Sequence, residues 1–86
     1  MKDFIKLRIK SFTLIRYNLI SILLTDGSEY SADISSFQDV YCYPKNEAEW
    51  NQAFIGECKA DIEWPSGFGI HLDQIASLAI TQNLSA

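Results

Sequence analysis

Hydrophobic and polar residues alternate strictly at the start of the chain. In "FIKLRIKSF", Ile5, Leu7 and Ile9 fall on one side of an extended backbone, and Lys6, Arg8 and Lys10 fall on the other. That is the period-2 pattern of a half-buried strand with a basic outer face. A second strand-like stretch, "NLISILLTDGSEYSADIS", is divided by Asp26-Gly27, a strong hairpin cue. Two loop lengths fit. A two-residue loop pairs Leu24 with Glu29 and Ile22 with Ser31. A three-residue loop, with Gly27 as a left-handed bulge residue, pairs Ile22 with Tyr30 and Ile20 with Ala32. The second gathers Ile20, Ile22, Tyr30, Ala32 and Ile34 on one face. It is preferred because it strands fewer large apolar residues opposite charges, and a one-residue slip would flip the whole set. Leu19 and Leu23 remain on the second face. This strand is therefore expected either to be covered on both sides or to take part in an interface.

Further along, "SSFQDVYCYP" reads as an irregular connector ended by Pro44. "NEAEWNQAF" predicts a short helix near residues 47–55. Asn46 can cap it, Glu49 stands at the capping-box position, and Trp50, Ala53 and Phe54 make one apolar face. Gly56 stands where a left-handed residue would end it. In "ECKADIEW", Cys58, Ala60, Ile62 and Trp64 face inward, while Glu57, Lys59, Asp61 and Glu63 face outward. This acidic face complements the basic face of the first strand. Opposite-charge cross-strand pairs contribute about 0.2–1 kcal/mol each, so the match hints that the two strands are neighbours. In "IEWPSGFGIHLDQIASLAI", Pro65 has no N–H and ends the ladder after Trp64, which should be mostly buried. Gly67 and Gly69 permit a tight reversal. Asp73 can cap a second helix near 74–80 with Ile75, Leu78 and Ala79 as its stripe. Every residue of this turn has a structural task without a ligand, so turn chemistry is the preferred reading and a ligand-recognition loop the alternative; His71 reads as a surface or internally satisfied residue. The elements predict one α+β domain over residues 1–80, with an antiparallel sheet of about four strands and two short helices. Residues 81–86 read as a flexible C-terminal tail.

Composition narrows the functions. The chain has 86 residues, 48% of them hydrophobic, enough for one core. No window approaches the ~20 apolar residues of a membrane span. The start "MKDFIKLRIK" has no apolar signal core, so a soluble cytoplasmic protein is expected. Cys42 and Cys58 then read as reduced, buried, small apolar residues. Their spacing and the single His71 do not complete a four-ligand zinc site, and neither a metal nor a cofactor is expected. Charge is unevenly placed. Five cations against Asp3 give residues 1–16 a formal +4, while Lys45 and Lys59 against ten acids give the rest −8, for a net −4. The acidic body repels phosphate backbones. Asp26, Asp33, Asp61, Glu63, Asp73 and His71 could in principle supply acid–base groups. Asp33, Asp61 and Glu63 sit at outward positions, however, and no catalytic constellation emerges.

The order Ile20, Ile22, Asp26, Gly27, then Asp33, Phe54, and then Ile62, Trp64, Pro65 and Gly67 resembles a family of small bacterial domains of unknown function. Its members carry a DG hairpin and an I-x-WP-x-G motif, and the resemblance spans roughly residues 5–80. It implies an α+β domain on an antiparallel sheet. Some members are joined to a helix-turn-helix domain, and others stand in pairs resembling toxin–antitoxin modules. The family implies no catalytic residues. This chain has "GFGIHLD" where the family usually carries an acidic residue soon after the turn. The expected function is a protein-protein interaction or regulatory module, with a protein partner or a homodimer. Leu19, Leu23, Asp26, Gly27, Trp64, Pro65 and Gly67 are the candidate interaction or structural residues. The alternatives are a nucleic-acid-associated accessory domain using the basic first strand and, more remotely, a small enzyme.

Overall fold

The computed structural model describes residues 7–82. Among them the order is β1 (Ile9–Arg16), β2 (Leu19–Leu24), β3 (Glu29–Asp33), a 3-10 turn (Ser35–Phe37), α1 (Glu47–Trp50), β4 (Phe54–Ile55), β5 (Asp61–Glu63), β6 (Gly69–His71) and α2 (Leu72–Gln82). The fold is α+β and its sheets are antiparallel. Instead of one sheet of about four strands there are two of three, in the orders β1-β2-β3 and β4-β5-β6. The Ile9 N–H donates to the Lys59 carbonyl (2.7 Å) and the Leu72 N–H to the Ala60 carbonyl (2.8 Å), which ties the second sheet to β1 and α2.

The division has a local cause. The "ECKADIEW" stretch is not one strand, because Gly56 to Lys59 closes a turn through the Lys59 N–H to the Gly56 carbonyl (2.8 Å), with Lys59 at φ 59°. Cys58 lies on that turn and is exposed rather than inward. Ile62 and Trp64 keep their inward positions. Upstream, the helix expected over 47–55 stops at Trp50. Asn46 does cap it, accepting the Glu49 N–H at 2.9 Å. Phe54 and Ile55, aromatic and β-branched, pair instead with Glu63 and Ile62. Phe54 thus leaves the apolar face assigned to it and is exposed, and Gly56 does not adopt a positive φ.

The first strand also shifts. Phe4, Ile5 and Lys6 lie outside the described residues, and the observed strand begins at Ile9 and runs to Arg16. It pairs with β2 throughout, with irregularities at Lys10 and Ile15. The β2–β3 hairpin has the bulged loop: Ile22 faces Tyr30, Ile20 faces Ala32, and Gly27 has φ 88°. The β5–β6 hairpin repeats this geometry. The Gly27 N–H donates to Leu24 O and the Leu24 N–H to Ser28 O; likewise the Gly67 N–H donates to Trp64 O and the Trp64 N–H to Phe68 O. Gly67 has φ 101°, whereas Gly69 is an ordinary strand residue. Each loop is a turn closed by one left-handed glycine. A Cβ at Gly27 would meet nothing within 4 Å, so only backbone conformation opposes it. Gly27→Ala should therefore cost about 1 kcal/mol, read as a lower urea midpoint with an unchanged slope.

The core fills the space between the sheets and α2. Ile20, Ile22 and Leu24 supply it from the first sheet, Ile62 and Ile70 from the second, and Leu72 and Ile75 from α2; all are at most 1% exposed. An aromatic group closes one end. Trp50 and Trp64 stack at 5.2 Å, and Tyr43 meets Phe68 edge-on at 4.9 Å. Trp64 Nε1 donates to the Trp50 carbonyl at 2.9 Å, while the buried Trp50 Nε1 has no partner among the described residues. Tyr17 and Tyr43 hold the connector down, donating to the Pro44 carbonyl (2.7 Å) and to Asn18 Oδ1 (2.6 Å). Burial pushes the Tyr43 phenol above its ordinary range.

At the start of α2 the capping residue is His71, not Asp73. The His71 N–H donates to Gln74 Oε1 (2.9 Å), and the Asp73 N–H lies 3.2 Å from His71 Nδ1. The Gln74 amide reaching back to the His71 N–H is one half of a capping box. The helix runs two residues past Ile80, into the segment expected to be a tail. Gln82 anchors it there: its Oε1 accepts the Asp33 N–H (2.9 Å) and its Nε2 donates to the Asp33 carbonyl (2.8 Å). One amide thus occupies both outward-facing backbone groups of an edge residue.

Candidate interaction face

Register decides which side chains share a face of the first sheet. On the inner face, Phe12, Ile22 and Tyr30 form one row and Leu14, Ile20 and Ala32 another. The outer face has three rows. Arg16, Leu19 and Asp33 form the first; Thr13, Ser21 and Ser31 the second; Ser11, Leu23 and Glu29 the third. Leu19 and Leu23 are half-buried, and neither is among the described side chains packed against the core. Ile15, the extra residue of the second irregularity in β1, is 50% exposed beside them. The expectation that Leu19 and Leu23 point away from Ile20 and Ile22 is met, and Ser21 between them is buried, at 7% exposed. The sequence did not mark Arg16, Ser21 or Glu29 as their neighbours.

The charges on this face are arranged by strand. Arg16 stands on β1, and Glu29 and Asp33 stand on β3. The Asp33 carboxylate is held below its usual range by hydrogen bonds from the Ser35 hydroxyl and the Ser35 N–H, the latter at 2.8 Å, with a further contribution from the Arg16 charge. A carboxylate whose pKa is lower folded than unfolded stabilises fully above the unfolded value of about 3.9 and loses that contribution as pH falls through the folded value. Asp33→Asn should therefore be less stable than wild type at neutral pH, with the gap closing in acid. Urea unfolding at pH 7 and near pH 2.5 checks this, and a gap that widened in acid would contradict it.

The other candidate residues lie elsewhere. Asp26 and Gly27 form the β2–β3 turn, where Asp26 Oδ1 accepts the Ser28 N–H at 2.9 Å. Trp64 is 2% exposed and packs in the core. Pro65 and Gly67 are exposed on the same turn, and between them Ser66 donates to the Cys42 carbonyl at 2.6 Å. That bond docks the connector onto the turn. A shallow cleft of about 400 Å³ beside this turn is lined by Asp61, Glu63, His71 and Gln74, among others. His71 Nδ1 stands 2.7 Å from Asp73 Oδ1, a distance that calls for a proton on that nitrogen, and Nε2 stands 3.9 Å from Asp61. Asp73 is only two residues from His71, so the sequence did hold this contact. The ring is 45% exposed. No group of three or more His, Cys, Asp or Glu among the described residues could hold a metal ion. No described helix is long and apolar enough to cross a membrane.

A groove of about 540 Å³ runs between β1 and the β4–β5 turn. Arg8, Lys10 and Lys59 line it, together with Glu57. Lys59 is distant in sequence and is brought there by the hydrogen bond from Ile9. No family model matches this chain, and no curated protein or solved structure does either.

Proposed function

We propose that the chain is a protein-protein interaction or regulatory module acting through the outer face of the β1-β2-β3 sheet. In this reading it belongs to the family of small bacterial domains that its motifs resemble, and antitoxin-like pairing with a second small protein is one form its role takes. The observation that carries the reading is the pair of half-buried leucines on the outer face, Leu19 and Leu23, with the exposed Ile15 beside them. Apolar area left uncovered on a small domain marks an association site. A reducing, cytoplasmic location belongs to the same proposal, and the exposed free thiol of Cys58 supports it.

The test is co-expression with the protein encoded beside it, alongside light scattering on the chain alone. Leu23→Asp should abolish the complex or the self-association while leaving the circular dichroism spectrum unchanged. Assembly indifferent to Leu23→Asp, or no assembly of either kind, would overturn the reading. A second reading has its own observation, the three cations lining the β1 groove, which suit an accessory contact with nucleic-acid phosphates. Oligonucleotide binding that weakens steeply with salt would favour it; no binding at low salt would end it.

A further inference from the structure

We propose that the outer sheet face docks onto a second copy of this chain, about a two-fold axis parallel to β2. The inference rests on the interaction reading above and names its partner. The three strands form three columns: a cation at Arg16 on β1, the half-buried Leu19 and Leu23 on either side of the buried Ser21 on β2, and carboxylates at Glu29 and Asp33 on β3. A two-fold rotation about an axis along β2 lays each β1 column over the β3 column of the other copy. Arg16 then faces Asp33 twice, Ser11 can donate to Glu29, and Leu19 and Leu23 each meet their own counterparts. An in-plane axis perpendicular to β2 would stack Asp33 on Glu29 and set like charges together. The charge pattern therefore selects one of the two face-to-face arrangements.

Two further features point to the face and away from the edges. β1 has irregularities at Lys10 and Ile15, and its cations discourage strand addition. On β3, the outward groups of Asp33 are occupied by Gln82. At the centre of the face, Ser21 is flanked by Thr13 and Ser31, and these small side chains let two sheets approach to the ~10 Å of face-to-face packing. The face is small. Three strands about 4.8 Å apart and some 20 Å long give roughly 300 Å² per copy, well under the ~800 Å² of a standard interface. The dimer is therefore weak, reversible and concentration-dependent.

Sedimentation equilibrium across about 1–500 μM should show a monomer–dimer equilibrium with a micromolar Kd. Arg16→Glu should weaken it about tenfold or more, because both cross-copy pairs become repulsive. Adding Asp33→Arg to Arg16→Glu should return the affinity to within about threefold of wild type. Thr13→Arg, at an exposed position beside Ser21, sets a long cation over Ser31 of the other copy and should abolish the dimer. If the doubly substituted chain does not fold, because Asp33 also holds Ser35, Thr13→Arg decides the matter alone. A monomer at every concentration, or a dimer unchanged by Arg16→Glu and Thr13→Arg, overturns the proposal. If the chain is monomeric yet binds another protein in a manner abolished by Leu23→Asp, the interaction reading stands and only the identity of the partner is wrong.

Discussion

Trp64→Ala should lower the unfolding free energy by about 3–5 kcal/mol, enough to remove much of the stability of so small a domain. Three losses combine. The indole is 2% exposed and stacks on Trp50 at 5.2 Å, with Phe68 at 5.4 Å. Its removal leaves a cavity with aromatic walls that cannot collapse freely. Its Nε1 is the donor to the Trp50 carbonyl, and that bond goes too. Finally, Trp64 opens and closes the β5–β6 turn with its own N–H and C=O, so its displacement loosens the hairpin that delivers α2. Trp64→Phe separates the terms. It keeps most of the aromatic contact and loses the donor, so it should cost clearly less than the alanine variant. An alanine variant with an unchanged melting temperature would mean that the side chain does not lie where the structure puts it.

Leu24→Ala and Leu23→Ala should differ sharply although the residues are adjacent. Leu24 is fully buried on the inner face, where its truncation should cost about 2–5 kcal/mol. Leu23 is half-buried on the outer face, off the core cluster, and its truncation should cost about 1 kcal/mol or less in the monomer. The comparison tests strand register directly, because a one-residue slip would exchange the two values. Chemical denaturation at low protein concentration, where association does not contribute, is the appropriate measurement.

The register of β2 against β3 was legible because two local signals agree there. Period-2 alternation sets the faces, and Asp26-Gly27 sets the loop. Burial of Trp64 was legible for a similar reason, since Pro65 fixes where the strand must end. Residues 47–59 misled, because the competing signals are weak and the outcome depends on distant partners. Asn46 and Glu49 start a helix correctly, but Phe54 and Ile55 are taken by β5. Lys59 adopts a left-handed conformation that favours glycine or asparagine, so nothing in its identity announced the turn. The β1–β2 turn carried only Asn18, at φ 76°, as a cue. The outer face was half legible. Alternation placed Leu19 and Leu23 away from the core, but the row joining Arg16 to Asp33 depends on how two irregularities in β1 add up, and no local pattern encodes that.

The amide of Gln82 on Asp33 makes one backbone proton a reporter of helix docking. Because the Asp33 N–H points away from β2, its protection against solvent hydrogen exchange depends on the last turn of α2 rather than on the sheet. Its neighbour Ile34 donates to the Asn18 carbonyl, inside the first sheet's own hairpin structure. If the helix end lifts without global unfolding, Asp33 exchanges while Ile34 stays protected. Two adjacent amides would then read out two different opening free energies.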